Sequence, residues 1–520
     1  MEKRTPEKII YGWIAQEKNI KLTFVAAMLT GLIAHIYIFA NKLPNADDVG
    51  HINAYGQGAR MGRWFLEIMG ETVQQLVGNY SMPFFNGILL VFLLALAACQ
   101  LVAVLEIRDS VCCMFIGALF VCFPSITDTM IFMFTTPFYG VAILMSVLAA
   151  KYIIEGGIKS ILGTFLLLLS IATYQAYFPL CIAILVAKSI KNIKEEGSVK
   201  ETIRYAVYSG GGMVCYLLSV KIAQWIFHVE MATYRGANQI GDKIAEQGIV
   251  KAVKMAYQAL VQMMTTGYLG LTEYRILRVI FAVFIMAAVV LLVKKIWCLV
   301  KEKEYFRAIW LGILAVFYPI GVFGIYLSGA GNDIYALMMF PTVMLYVLPV
   351  ILVDDENHKE KWKYQQISSA LNYSFCFMMI GVIVLYCRFS NEYYLWMQMD
   401  YNQTSSYFTT LIANIKECDG YQENDEVVLV GNRVDDATVT GTGNFQDITM
   451  GDSSGYLTKV YSYRDFIRYY CGFNRINEEM EEEVITWQEV KEMPKYPNEG
   501  SIRKVRGVIV VKLQETAEKE

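Results

Sequence analysis

Charge is scarce in this chain. Of its 520 residues only 18% are Asp, Glu, Lys or Arg, short of the roughly 25% of an average soluble domain. Hydrophobic residues make up 55%, and the mean hydropathy is +0.38. That balance excludes an ordinary soluble globular protein and predicts a mainly α, polytopic membrane protein. A cleavable leader is also lacking: the first apolar run follows a charged stretch, is too long for a signal core and has no small-residue cleavage site after it, so it is expected to stay as an anchor. The eleven cysteines show no metal-ligand spacing. Most of them (Cys99, Cys112, Cys113, Cys122, Cys181, Cys215, Cys298 and Cys376) fall inside apolar runs, where a thiol is a small hydrophobe. Cys418 and Cys471 lie in the polar C-terminal part and could form a bridge if that part faces an oxidising envelope. No Gly-rich phosphate loop is present, since Gly441-Thr442-Gly443 lacks the rest of any nucleotide fingerprint. No internal repeat appears, which weakens a reading as a transporter built from duplicated halves. No nucleic-acid partner is expected.

What is present is a succession of about eleven apolar runs between Leu22 and Tyr386. The first, Leu22 to Ala40, has about the length needed to cross a bilayer core as a helix. Three others (Val111 to Phe123, Ile161 to Ala172 and Tyr177 to Ala187) fall short of the roughly twenty residues that a span requires. Cations collect in alternate loops: Lys3, Arg4, Lys8, Lys18 and Lys21; Lys188, Lys191, Lys194, Lys200 and Arg204; Lys294, Lys295, Lys301, Lys303 and Arg307. The positive-inside rule puts these on the cytoplasmic face, with the N-terminus inside and two crossings between Ile161 and Ala187 that turn outside at Tyr174-Gln175. The loops around Asp47-Asp48, from Pro124 to Pro137 and from Val229 to Arg275, and everything after about Arg388, then face outward. Short spans that stop below the outer surface would wall an outward-facing pocket, because irregular backbone survives at membrane depth only when it lines a wet cavity or is covered by protein; ordinary helix tilt is the plainer explanation.

The composition changes near Ser390. An aromatic stretch (Tyr393, Tyr394, Trp396, Met397) precedes apolar residues at helical spacing from Thr404 to Lys416. Glu426 to Gly431 and Arg506 to Val511 read as two buried strands, with a helix from about Tyr463 to Tyr470 between them. The division expected is therefore a membrane domain over residues 1–388 and a small extracytoplasmic α/β domain over 389–520.

Chemistry concentrates in the first outer loop. Asp47, Asp48 and His51 are followed by Arg60, Arg63 and Trp64, with Gly50, Gly56, Gly58 and Gly62 between them. Two adjacent carboxylates stay ionised together only beside positive or hydrogen-bonding groups, which makes the pair a candidate for acid/base or cation chemistry rather than a solvated turn. Arginine suits phosphate because its planar fork donates two hydrogen bonds at once. On a surface helix, Met61 to Phe65 would turn one side to lipid and present guanidinium groups on the other, although headgroup anchoring alone would account for Arg60 and Arg63. Asp128, Tyr174 and Gln175 sit at turns facing the proposed pocket and are candidates for sugar hydroxyls; Arg235 belongs to a long outer loop that could cover a donor. His35, inside the first apolar helix, is expected to be a satisfied core histidine, and Asp333 a helix cap.

A first membrane helix, an Asp-Asp pair in the outer loop, the Gly62-Arg63-Trp64 triplet and the Tyr174-Gln175-Ala176-Tyr177 turn together resemble the Gtr-type glucosyltransferases that modify O-antigen, which have the GT-C membrane fold. The resemblance covers about the first two thirds of the chain; His51 stands where an arginine is often found. It implies transfer of a hexose, glucose in this family, from a polyprenyl-phosphate donor to a cell-envelope glycan on the outer face of a bacterial cytoplasmic membrane. Asp47 or Asp48 would then be the base and the other its orienting partner, with Arg60 and Arg63 on the phosphate. A divalent cation, Mg or Mn, bridging Asp47 and Asp48 stays open, since two carboxylates are a poor metal site alone. The competing readings are a lipid-linked saccharide transporter or flippase, and an outer-face glycan polymerase or ligase. A transporter should keep ionisable residues deep in its helices, and Lys221 is one of few here.

Overall fold

The computed structural model describes residues 17–56, 58–232, 245–267, 274–328, 334–359, 365–431 and 462–514. The chain forms two compact units, one of Met1–Asn41 with Ala54–Asn391 and one of Lys42–Asn53 with Glu392–Glu520. The protein is mostly helical. Among the described residues nine helices are long and apolar enough to cross a membrane, the composition of a polytopic membrane protein.

In the larger unit, α1 (Lys18–Ala40) packs against α4 (Pro83–Val104) and α5 (Ser110–Cys122). His35 is satisfied: its Nε2 meets the Val121 carbonyl at 2.7 Å. The Val111 to Phe123 run is not short. Phe123 is extended, Pro124 then restarts the helix at a first-turn position where its missing N–H costs nothing, and α6 (Pro124–Met130) brings the continuous stretch to 21 residues. The loop expected from Pro124 to Pro137 is thus half helix. Two of its buried threonines find partners inside: Thr129 donates to the Ser125 carbonyl at 2.7 Å, and the Thr127 and Ser390 hydroxyls lie 2.7 Å apart.

After α7 (Thr136–Glu155) come α8 (Lys159–Thr173) and α9 (Phe178–Lys191), only 15 and 14 residues long. At 1.5 Å per residue each is about 20 Å long, less than the ~30 Å hydrocarbon core. They meet in a tight turn of Tyr174 and a 3₁₀ turn over Gln175–Tyr177. Helix α10 (Ser198–Phe227) follows. The stretch expected as the Val229 to Arg275 loop contains an amphipathic helix, α11 (Ile249–Met264), which buries Ala252, Ala256, Ala259 and Met263 and exposes Lys251 and Lys254. Helices α12 (Arg275–Lys301) and α13 (Tyr305–Val322), a 3₁₀ stretch over Ala336–Val343 and α14 (Met344–Lys359) complete the bundle; the unit closes with the first part of the 52-residue α15 (Gln365–Lys416). Arg235, Glu273 and Asp333 lie outside the described residues.

The smaller unit contains the rest of α15 and a three-stranded sheet of order β1 (Val427–Val430), β3 (Val508–Lys512), β2 (Ile502–Val505). β1 runs parallel to β3 with Val427 opposite Ile509, and β2 antiparallel with Val505 opposite Val508. Side-chain alternation sorts the sheet into two cores. Val427, Leu429, Ile509 and Val511 face Phe408, Leu411 and Ile415 of α15 and Tyr463, Phe466 and Ile467 of α16 (Tyr463–Tyr469). Val428, Val430, Val508 and Val510 face Val484, Trp487, Val490 and Met493. The strand expected from Arg506 begins two residues later: Arg506 (φ 49°) and Gly507 (φ 93°) form the two-residue turn of a hairpin, which requires positive φ at both positions. Cys418 and Cys471 are both free.

Candidate functional site

The smaller unit holds the acidic pair. Asn45 caps a single short helix, α2 (Ala46–Gly50), by accepting from the Asp48 N–H at 2.8 Å, and Ala46 and Val49 insert into the core beside Phe408 and Phe466. This anchoring separates two chemically identical neighbours. Asp48 is 1% exposed and its Oδ2 takes a hydrogen bond and ion pair from Lys42 Nζ at 3.2 Å. Asp47 is half-buried and its backbone carbonyl meets His51 Nδ1 at 2.6 Å. Against α2 packs α16, which places Asp465 electrostatically near His51 and Tyr470 near Asp48. Burial, with the Asp48 charge, pushes the Tyr470 phenol well up, so it stays neutral; its hydroxyl is buried without a hydrogen-bond partner.

The larger unit holds the arginine. Gly58 to Arg63 form a tight turn closed by Met61 N–H and Arg63 N–H on the Gly58 carbonyl (2.8 and 3.0 Å). Glu67 Oε2 caps it by accepting from the N–H groups of Gly58 and Ala59 at 2.6 and 3.1 Å. Gly62 sits at φ +75° with the Tyr216 hydroxyl 2.9 Å from where a Cβ would stand, so only glycine fits. Helix α3 (Trp64–Val77) starts immediately after Arg63. Met61 to Phe65 therefore do not form one lipid-facing helix surface, because the left-handed Gly62 breaks it. Trp64 Nε1 instead donates to Ser219 Oγ at 3.0 Å, and Arg63 turns onto protein.

The Arg63 guanidinium lies 4.6 Å from the centre of the Tyr174 ring, whose other neighbour is Tyr139, stacked at 4.7 Å, with Tyr177 edge-on at 5.2 Å. Such a cation over a ring is worth about 0.5 to 2 kcal/mol. Nε donates to Gln175 Oε1 at 3.3 Å; no described carboxylate pairs with the guanidinium, and its two terminal nitrogens donate to no described group. The Tyr174 hydroxyl is buried and unpartnered. Asp128, fully buried, acts electrostatically on Tyr174 and uses Oδ2 to accept from the Leu337 N–H at 2.6 Å, which ties down the Ala336–Val343 stretch. Arg60 is exposed and contributes its carbonyl, which accepts from Ala232 N–H at 2.8 Å. The structure thus brings Arg63, Tyr174 and Gln175 together in one unit and Asp47, Asp48 and His51 together in the other.

A family model described as glucosyl transferase GtrII matches residues 36–346, more than half of the chain. The chain belongs to the GtrII glucosyl transferase family. No curated protein and no solved structure matches it. The GtrII match spans the acidic pair, the Arg63 turn, Asp128 and the Tyr174 turn, whereas residues 347–520 lie beyond it.

The GtrII chain has, in Arg63, a cation with its fork unspent, which is the arrangement that receives an anionic oxygen bidentately. Asp47, half-buried, is the more exposed carboxylate of the pair. Among the described residues no group of three or more His, Cys, Asp or Glu is placed to hold a metal. Asp48 already engages Lys42, so a cation bridging the two carboxylates would need further ligands from outside the pair. Reading the sequence missed Lys42, Tyr216 and Ser219. Lys42 lies six residues before Asp48, and Tyr216 and Ser219 are polar interruptions of an apolar helix. Those are the signals that were available.

Proposed function

We propose that this glucosyl transferase moves a hexosyl group from a polyprenyl-phosphate donor to a hydroxyl of a cell-envelope glycan on the outer face of the cytoplasmic membrane. The observation that carries the reading is the Arg63 guanidinium, held on an aromatic platform with no carboxylate partner and no bond from its outer nitrogens among the described residues. A half-buried cation without a counter-ion among the described residues costs stability, and a departing lipid phosphate is the anion that would compensate it. As the bond between the anomeric carbon and the phosphate oxygen breaks, that oxygen gains charge, and an arginine fork bonded more strongly to it then than before lowers the barrier.

Asp47 is assigned as the base. It takes the proton from the acceptor hydroxyl while that oxygen bonds to the anomeric carbon, and the lipid phosphate leaves with the bonding pair. Asp48, held by Lys42, fixes the short helix that carries Asp47. The outward orientation rests on the distribution of lysines and arginines.

The test is transfer from labelled polyprenyl-phosphate glucose in membranes. Asp47→Asn should lose about 10²- to 10⁴-fold in turnover, the usual contribution of a general base. Arg63→Gln should lose turnover with the lipid-linked donor while the acceptor KM holds. Full activity in both variants would remove the assignment.

A further inference from the structure

Three consecutive backbone carbonyls of the Arg63 turn each accept a hydrogen bond from a different part of the larger unit. Ala232 N–H donates to Arg60 at 2.8 Å, Gln175 Nε2 to Met61 at 2.9 Å, and the Tyr216 hydroxyl to Gly62 at 3.3 Å. A turn of this kind has no need of three external donors to exist, since its own bonds to Gly58 already close it. What the external bonds add is a fixed direction for the side chain that follows.

The amide of Gln175 shows how. Its Nε2 donates both to the Met61 carbonyl and to the Tyr216 oxygen, 2.9 Å in each case, and its Oε1 accepts from Arg63 Nε. A carbonyl can only accept, so the Met61 contact forces the amide nitrogen to that side and leaves the oxygen toward the guanidinium. The opposite orientation would set N–H against N–H. The Tyr216 hydroxyl, receiving one Gln175 proton, has its own proton directed at the Gly62 carbonyl. Both side-chain polar atoms of Gln175 are thereby engaged within the protein, which makes it a support for Arg63.

We infer that Tyr216, acting through Gln175, is a positioning residue that holds the Arg63 fork toward the donor phosphate. The inference rests on the reading of Arg63 as the phosphate clamp. Neither Tyr216 nor Gln175 touches the reacting atoms. Their effect is to keep the guanidinium on the Tyr174 ring with its terminal nitrogens pointing away from the amide.

The experiment is a double-mutant cycle on the detergent-solubilised full-length enzyme with polyprenyl-phosphate glucose, using Tyr216→Phe, Arg63→Lys and the pair, with Gln175→Asn as a second route to the same loss. Monodispersity on gel filtration serves as the check on folding. Tyr216→Phe should lower kcat/KM for the lipid donor about tenfold, the order of one hydrogen bond in a charged network, and leave the acceptor KM unchanged. In the Arg63→Lys background the same substitution should cost little, because a residue that acts through Arg63 has nothing left to position. Equal cost in both backgrounds, or a wild-type Tyr216→Phe and Gln175→Asn beside an impaired Arg63→Lys, overturns the inference and leaves the clamp standing. A wild-type Arg63→Lys and Arg63→Gln overturns the clamp itself.

Discussion

Asp47 and Asp48 are one peptide bond apart, and the structure gives them different surroundings. Asp48 is 1% exposed with Lys42 at 3.2 Å; Asp47 is half-buried. Removing Lys42 leaves a buried carboxylate without its cation, and because Lys42 is itself partly exposed the cost should be about 1 to 3 kcal/mol, below that of a fully buried pair. Lys42→Met is therefore expected to lower the thermal midpoint of the purified enzyme, and Asp48→Asn to reduce that sensitivity by removing the charge that Lys42 compensates. If Lys42→Met proved neutral in both backgrounds, the ion pair would have no structural role. Asp400 presents a second case at this scale. It is 1% exposed on α15, and neither carboxyl oxygen has a hydrogen-bond partner. A leucine there should be tolerated or stabilising by about 1 kcal/mol, since the unmet demand of a buried polar group is removed; differential scanning fluorimetry in detergent decides.

At the scale of elements, the turn from Gly58 to Arg63 and the helix after it are specified by backbone geometry more than by side chains. Gly62→Ala meets both a positive φ and the Tyr216 hydroxyl, and Gly70→Ala would press a Cβ against the Gly56 carbonyl. Gly62→Ala should cost about 1 to 2 kcal/mol from the left-handed backbone alone and should weaken use of the lipid donor, because the turn must shift Arg63 to relieve it. A donor KM unchanged in Gly62→Ala would separate the turn from the anion site. This turn also shows what the sequence could convey. Gly62-Arg63-Trp64 stood out as residue types, and the apolar runs located the helices. Hydropathy ranks residues by polarity, however, and cannot find the distant carbonyl or hydroxyl that makes a polar residue acceptable inside. Thr127 and Asp128 consequently read as loop, although they are buried helix, and Tyr216 and Ser219 read as part of a span. The hairpin failed for a related reason: Arg506-Gly507 sits in an apolar context, and only the sign of φ marks it as a turn. The acidic pair was visible from adjacency, but its division into a buried, lysine-paired carboxylate and a half-buried one depends on Lys42 and on the core that seats Ala46 and Val49.

At the scale of the whole molecule, cations gather at alternate helix ends, and the proposed outward orientation of residues 392–520 follows from them. Cysteine introduced at exposed Glu492 in a cysteine-depleted background should react with a membrane-impermeant maleimide in intact cells, while cysteine at Lys194 should react only after permeabilisation. The reverse pattern would place the acidic pair in the cytosol and end the proposed chemistry. The family match ends at residue 346, so the α/β portion is the part of the chain on which membership in the GtrII glucosyl transferases bears least.

The twelve residues from Lys42 to Asn53 belong, by packing, with a stretch that begins about 340 positions later in the chain. Ala46 and Val49 complete a core built from Phe408, Leu411, Tyr463, Phe466 and Ile509. Anyone grafting a foreign C-terminal module onto this scaffold to redirect its acceptor choice would have to transplant this dodecapeptide with it. A splice made only at Asn391 would deprive the proposed base of the ground it stands on and would yield an inactive hybrid whose defect had nothing to do with acceptor recognition.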